Sequence, residues 1–329
     1  MFQVESTILK TFLQAGGEPV SGDRIAKALG VSRVSVWSRL ERLRKEGFEF
    51  EATTRVGYRL TGLPKKLHPA LLDAYLRLAG VSAELHCFAE IDSTNSEAER
   101  RLSAGETPPL VIAASQQSAG RGRLGRVWQS GDSGNIYVSF AFRPFLTPER
   151  MQSFTLAMGL RLCDFLATRH KLDMKIKWPN DLMCEGRKMA GMLTEARVDA
   201  DHVRDLVYGL GLNVNSSPLD LPTELRKTAG SLAHALGHTL DINQTAAEII
   251  TTALSAYEDF IQTGRGDDFP KLWKKYDILA EKEVTVSCFG RLVTGVVKGI
   301  DSSGALLLRD NDNGKVHSFN AGEVTIVKK

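Results

Sequence analysis

The chain has 329 residues, 43% of them hydrophobic and 25% charged, which is too long for one ordinary domain and too apolar for a disordered chain. Its formal charge of +3 lies wholly in residues 1–62, where 10 Lys and Arg face 7 Asp and Glu, so attraction to a polyanion belongs to the N-terminal fifth. No run approaches the roughly 18 apolar residues of a membrane span, and the opening MFQVESTILKTFLQ carries Glu5 and Lys10 in place of a signal peptide's apolar block. A cytoplasmic protein without a membrane partner is expected. Cysteines 87, 163, 184 and 288 lack CxxC spacing, which argues for reduced thiols and against a structural zinc.

The segment SGDRIAKALGVSRVSVWSRLERLRKEG reads as helix, tight turn, helix. Ile25, Ala26 and Leu29 form one apolar face, Gly30 supplies the turn, Ser32 caps the next helix, and Val36, Leu40 and Leu43 fall on one stripe. Ser35, Ser38 and Arg42 then point away from the core, with Arg33 and Arg39 at its flanks. Together with Ser32 they make a set suited to phosphate and base contacts. Trp37 is expected to pack on a neighbouring element. FEFEATTRVGYRL adds short strands around Arg55 and Gly57, so residues 1–62 are expected to form a winged helix-turn-helix. A helical hairpin used only for packing shares the pattern; the basic residues at 33, 39, 42, 44 and 45 favour DNA.

After the linker-like TGLPKKLHP come a helix at LLDAYLRLAG, a strand at LHCFAEI, and DSTNSEAERRL. Asp92, Ser93, Thr94 and Asn95 are good capping residues for a helix over 96–103, and the same amides and hydroxyls make a carboxylate site. In AGRGRLGRVW, glycines 120, 122 and 125 match GxGxxG, but the strand NIYVSFAF follows where a dinucleotide fold needs a helix. Arginines 121, 123 and 126 bring the positive charge instead, leaving two readings, a solvated basic loop or an anion clamp. Lys175 and Lys177 share one side of the strand MKIK, which Pro179 stops, and RKMAGMLTEARV and LVYGLGLNVN are strong strands with glycines at 191, 209 and 211 that admit close approach. Helices dominate 243–276, and the last segment holds four or five short strands with turns at FGR, DSSG and DNDNG. The expected class is multidomain α+β: a winged helix-turn-helix over 1–62, a mixed α/β domain with an N-terminal linker over 63–276, and an SH3-like β-barrel over 277–329.

DSTN, AGRGRLGRVW, KWPNDLM, RKMAGMLTE and GLGLNVN, in this order, resemble the biotin protein ligases, and the winged helix in front and GIDSSGALLL behind resemble their bifunctional ligase/repressor class. The resemblance implies that biotin and ATP give biotinyl-5′-AMP, whose acyl group passes to one lysine of the biotin carboxyl carrier protein of acetyl-CoA carboxylase. It implies Ser93, Thr94, Asn95, Gln117, Arg121, Gly122, Arg123 and Lys177 at biotin. Gly120, Arg121, Arg123, Gly125, Arg126 and Trp128 form the phosphate loop, and Lys177 and Arg123 stabilise charge in the reaction. Mg2+ accompanies ATP without an assigned protein ligand, Asp181 being the nearest acidic group. Operator DNA and a ligand-promoted homodimer complete the implied partners. Leu124 departs from the family's further arginine, and the adenine contacts around TELRKTAGSLAHALG stay unassigned. A lipoate-type ligase and a biotin-sensing repressor without activity are the alternatives.

Overall fold

The computed structural model describes residues 2–53, 56–81, 83–132, 134–265 and 268–327. The chain opens with α1 (Gln3–Gln14), α2 (Gly22–Leu29) and α3 (Arg33–Lys45), then the antiparallel strands β1 (Glu49–Thr53) and β2 (Gly57–Gly62). Ser21 Oγ accepts from Arg24 N at 3.1 Å to start α2, and Gly30, at φ 66°, ends it in the left-handed conformation that glycine adopts without strain. Ser32 Oγ caps α3 by accepting from Ser35 N at 3.2 Å. The α3 stripe Val36, Leu40 and Leu43 is buried against Ile8, Leu9, Phe12 and Ile25. Arg55, expected at the hairpin, lies outside the described residues.

The helix α4 (Pro69–Leu78) belongs to two cores: Ala70, Leu71 and Ala74 join the N-terminal one, while Leu72 and Leu76 join the central one. The stretch before it is anchored as well, because His68 N donates to Asn243 Oδ1 at 2.7 Å and Lys66 O accepts from Asn243 Nδ2 at 3.1 Å. The N-terminal segment is therefore tied to the central domain through packed side chains.

The central elements are β3 (Glu84–Ile91), α5 (Thr94–Ser103), β4 (Leu110–Gln117), β5 (Ile136–Phe142), α6 (Pro148–Met151) and α7 (Phe154–His170). They continue with β6 (Met174–Lys177), β7 (Asp181–Cys184), β8 (Arg187–Asp199), β9 (His202–Leu212), α8 (Leu232–Leu236), α9 (Ile242–Thr263) and α10 (Phe269–Tyr276). Seven strands form one sheet in the order β3-β4-β5-β9-β8-β7-β6, with β3 and β4 parallel and the other neighbours antiparallel. One face buries Phe140, Phe142 and Tyr208 against Phe154 of α7 and the α9 residues Tyr257 and Phe260. On the other face α5 packs Ala98 and Leu102 over Leu110, Ile112, Ala141 and Val207. Strand alternation thus places Ser139, Gly209, Gly211 and Gly191 on the α5 side. The helix expected over 96–103 begins two residues earlier, at Thr94.

The last five strands, β10 (Glu283–Cys288), β11 (Arg291–Ile300), β12 (Leu306–Asp310), β13 (Val316–Phe319) and β14 (Glu323–Ile326), form an antiparallel sheet in the order β13-β12-β11-β10-β14. Among the described residues β13 and β14 are its two edges, so the pairing that would close a barrel is not made. Val284, Val286, Val297, Leu306 and Leu308 continue the central core, and Trp178 Nε1 donates to Gly304 O at 3.0 Å across the junction. The four cysteines are free thiols, and among the described residues no helix is long and apolar enough to cross a membrane.

At that junction Asp277 follows α10 and bridges to Ile176 of β6. Burial pushes its carboxyl up to about 6, against the bond it accepts from Leu279 N at 2.8 Å. A carboxyl raised in the folded state stabilises the fold fully only below its unfolded value, near 3.9, and that contribution is lost as pH rises through about 6. Asp277→Asn is therefore expected to raise Tm at pH 7.5, with the gain shrinking toward zero as the pH is lowered to 4; thermal melts across that range check it.

Candidate active site

The site grows from three glycines on the α5 face of the sheet. Gly191 and Gly211 are direct partners on β8 and β9, and Gly209 lies two residues before Gly211. A Cβ on Gly211 would overlap the Trp128 indole, and one on Gly191 would lie 2.8 Å from Trp128 Cζ3. A Cβ on Gly209 would overlap Asn95 Oδ1. Glycine is required at these positions by close approach, since none has a positive φ.

Asn95 and Thr94 are delivered by the N-terminus of α5, where Ser93 Oγ accepts from Ser96 N at 3.5 Å. All three residues are buried. Gln117, at the end of β4, accepts from Thr94 N at 2.8 Å and from Thr94 Oγ1 at 3.0 Å, and donates to Ser130 Oγ at 2.9 Å. Ser130 Oγ in turn donates to Trp128 O at 3.0 Å. The arginine loop is a closed hairpin: Trp128 N donates to Gly120 O at 2.9 Å, Gly122 N donates to Arg126 O at 2.7 Å, and a single turn covers Arg123–Gly125. A Cβ on Gly120 would strike Ser130 Oγ and Trp128 O, so this glycine is set by the closure of the hairpin.

The loop's arginines point to three different places. Arg121 Nη2 donates to Glu195 Oε2 at 2.7 Å and to Glu99 Oε1 at 2.9 Å. Arg123 Nη1 reaches Asn180 Oδ1 and Gly322 O, each at 3.2 Å, while Arg126 Nη2 donates to Glu323 Oε2 at 2.6 Å. The last two contacts bring the C-terminal sheet to the loop. Burial lowers the affinity of Arg123 and of Lys177 for their protons; Asp181 and Glu323 oppose that, and Arg126 adds to it.

Lys188, which sequence reasoning missed, belongs to the same group. Its ammonium lies 2.6 Å from Asp181 Oδ1 and 5.2 Å from the centre of the Trp128 ring, and its charge also disfavours protonation of Lys177. The available signal is the lysine of RKMAG on the strand beside Asp181. Asp181 Oδ1 is buried without a hydrogen bond, so its nearest compensation is Lys188.

Among the described residues, the one group of His, Cys, Asp or Glu compact enough for a metal is Glu84, His86 and Glu106, at the far end of β3. There Arg101 Nη1 lies 3.1 Å from His86 Nε2 and from both Glu106 oxygens, filling the place a cation would take.

On the N-terminal segment Arg33, Ser32 and Ser38 are exposed, and Arg33 Nε lies 3.2 Å from Asp23 Oδ1. Ser35 is half-buried. Arg39, half-buried at the flank, and Arg42, exposed, are both engaged by one carboxylate: Arg39 Nη1 donates to Glu5 Oε1 at 2.6 Å, and Arg42 binds the same oxygen. Glu5 is a buried carboxylate on α1, and a buried charge demands such compensation. Trp37 departs from expectation. It is 53% exposed and Val34 74%, because a step of about 100° per residue carries Trp37 off the inward stripe of Val36, Leu40 and Leu43.

A glycine floor, a capped helix end with amide and hydroxyl groups, and three cations around one carboxylate are the equipment of an enzyme that holds a carboxylate beside a phosphate. Comparison with known proteins gives the family. Residues 87–215 match the biotin/lipoate A/B protein ligase family, residues 4–59 an HTH domain, and residues 281–327 the biotin protein ligase C-terminal domain. The bifunctional ligase/repressor BirA of Bacillus subtilis (strain 168) is 33% identical over 305 residues, 93% of this chain and 94% of that one. BirA of Escherichia coli (strain K12) is 30% identical over 315 residues, 95% of each chain. The biotin protein ligase from Aquifex aeolicus in complex with biotin and ATP matches with a TM-score of 0.63 and 25% identity, covering 75% of this chain and 99% of that one. The chain belongs to the bifunctional biotin protein ligase and biotin-operon repressor family.

The glycine floor makes a direct demand on the loop. Gly211→Ala is expected to lift the Trp128 indole off the sheet and raise the KM for biotin at least tenfold, by roughly 1.4 kcal/mol or more, with little change in Tm. Steady-state kinetics and a melt check both parts.

Proposed function

We infer that the protein joins biotin to ATP, releasing pyrophosphate, then transfers the acyl group from biotinyl-5′-AMP to one lysine of the biotin carboxyl carrier protein of acetyl-CoA carboxylase, and that it represses biotin synthesis by binding operator DNA. The observation that carries the reading is the meeting of Asn95, Thr94 and Gln117 with Lys177, Lys188 and Arg123 across the glycine floor. A carboxylate oxygen of biotin attacks the α-phosphorus as pyrophosphate leaves; the lysine amine of the carrier later attacks the acyl carbon as AMP leaves. Two anions must approach in the first step, so the protein's work is to position them and to neutralise charge.

Ser93, Thr94, Asn95, Gln117 and Gly122 hold the ring end of biotin. Lys177 and Arg123, with Lys188, face the carboxylate and the α-phosphate, where partial burial strengthens their field. Arg121 and Arg126 are held by Glu195 and Glu323 until phosphates compete for them, and closing Gly120–Trp128 over the mixed anhydride excludes water. Asp181 is half-buried and its Oδ1 already faces the Lys188 ammonium at 2.6 Å, so it would hold the Mg2+ that accompanies ATP, and through it neutralise phosphate charge, only once Lys188 turns to a phosphate.

Residues 1–62, 63–276 and 277–329 serve as the DNA-binding, catalytic and C-terminal domains, the first a winged helix-turn-helix and the last an open five-stranded sheet of SH3-like size whose turns follow the expected FGR, DSSG and DNDNG. One DNA module makes few phosphate contacts, and two copies in a ligand-promoted dimer would read two half-sites with greater avidity. Arg33, Ser38 and the exposed Trp37 and Val34 form the face turned toward DNA. The ATP-dependent reaction belongs in the cytoplasm.

Biotin-dependent exchange of pyrophosphate into ATP tests the ligase reading, with lipoate as the contrasting acid. Lys177→Ala is expected to lower that exchange by roughly 10²-fold or more, the scale of one lost electrostatic stabiliser, with an unchanged circular dichroism spectrum. Near-normal exchange in this variant would make Lys177 structural.

A further inference from the structure

We propose that Glu195 is a positioning residue for biotin: its carboxylate sets the direction of the Asn95 amide and tethers Arg121, tying ring recognition to the arginine loop through one oxygen. The proposal rests on the ligase reading above. Glu195 Oε2 accepts from Asn95 Nδ2 at 2.7 Å and from Arg121 Nη2 at 2.7 Å. Beyond Asn95 the contacts run on through Ser139, Thr94, Gln117 and Ser130 to Trp128 O. The path begins at Arg121 and ends at Trp128, so both ends of the loop are joined by one chain of polar groups beneath it.

The middle of that chain is short of a proton. Thr94 Oγ1 lies 3.0 Å from Gln117 Oε1, Ser139 Oγ lies 2.5 Å from Asn95 Oδ1, and the two hydroxyl oxygens are 2.8 Å apart. Two hydroxyls carry two protons for these three contacts. Gln117 cannot relieve the shortage by turning over, because its Oε1 also accepts from Thr94 N at 2.8 Å. Asn95 cannot turn over because its oxygen would then face the Glu195 carboxylate. Glu195 therefore keeps Asn95 Oδ1 directed at Ser139 over Gly209, as an acceptor in want of a donor. A ring N–H offered to Asn95 Oδ1 frees the Ser139 proton for Thr94 Oγ1 and completes the chain; a cyclic urea supplies such a group, and a dithiolane ring does not.

The role differs from simple support of the fold. Without the carboxylate, Asn95 can present either end of its amide, and the loss falls on biotin binding before it falls on chemistry. Initial rates of pyrophosphate exchange, measured against biotin and against ATP for the full chain, provide the test. Glu195→Gln is expected to raise the KM for biotin about tenfold or more, the scale of a charge-assisted hydrogen bond, with kcat within about twofold of the parent and the KM for ATP unchanged or lowered, because Arg121 is released toward phosphate. Asn95→Ala should raise the same KM, and the double variant should match Asn95→Ala within about twofold, because Glu195 acts through Asn95. An unchanged KM in Glu195→Gln, or effects that multiply in the double variant, would overturn the proposal while the parent's exchange activity upholds the ligase reading. A parent without biotin-dependent exchange would overturn both. If Glu195→Gln does not fold, Glu195→Asp, which withdraws the carboxylate from Asn95 and Arg121, is judged by the same KM split and the same double variant.

Discussion

Close contact between the Trp128 indole, the Asn95 amide and a strip of bare backbone at Gly191, Gly209 and Gly211 is the constraint from which the site follows. A methyl group on any of the three would push the loop or the helix end away from the sheet. The absence of side chains lets the helix α5 deliver its polar N-terminus and the hairpin deliver its tryptophan to the same few square ångströms. Lys188, lying over the indole and beside Asp181, extends the contact toward Lys177 and Arg123. The groups proposed to hold the biotin ring and those proposed to meet the phosphates thus share a floor, and adenylation needs that adjacency.

The three parts of the chain are coupled by specific contacts. Arg123 and Arg126 reach Gly322 and Glu323 of the C-terminal sheet, so the loop that would close on phosphates is also held by the last strand. Lys66, just before α4, pairs with Asp132, just after Trp128, and α4 itself packs into the core of the DNA-binding segment. A ligand that reorders the loop would act on groups in mechanical contact with the helix-turn-helix. The physical warrant is this continuity of packing and ion pairs; a ligand shifts it only by its differential affinity for the two loop states.

Much of this was legible in sequence because it is local. Ser32 and Ser93 announce helix starts, the Val36, Leu40 and Leu43 stripe gives the inward face of α3, and glycines inside two β-branched strands mark the floor. What was not legible depends on partners distant along the chain. The fate of Arg39 and Arg42 is decided by Glu5, more than thirty residues away, and that of Arg126 by Glu323 in another domain. Lys188 gains its role from Asp181 and Trp128, which only strand pairing and the loop bring beside it. Trp37 is expected on its chemistry to pack on a neighbouring element, whereas its one-residue offset from Val36 carries it off the inward stripe and leaves it 53% exposed. The open edges of the C-terminal sheet follow from pairing, which turn spacing alone does not specify.

The central claim is that biotinyl-5′-AMP lies between the glycine floor and the arginine hairpin. Hydrogen–deuterium exchange of the full chain, with and without biotin and ATP, tests it most directly. The account predicts slowed exchange at 93–96, 117–131, 188–195 and 209–212, together with a change at 322–324 as Arg126 leaves Glu323. Protection confined to other surfaces, with these segments unaltered, would contradict it.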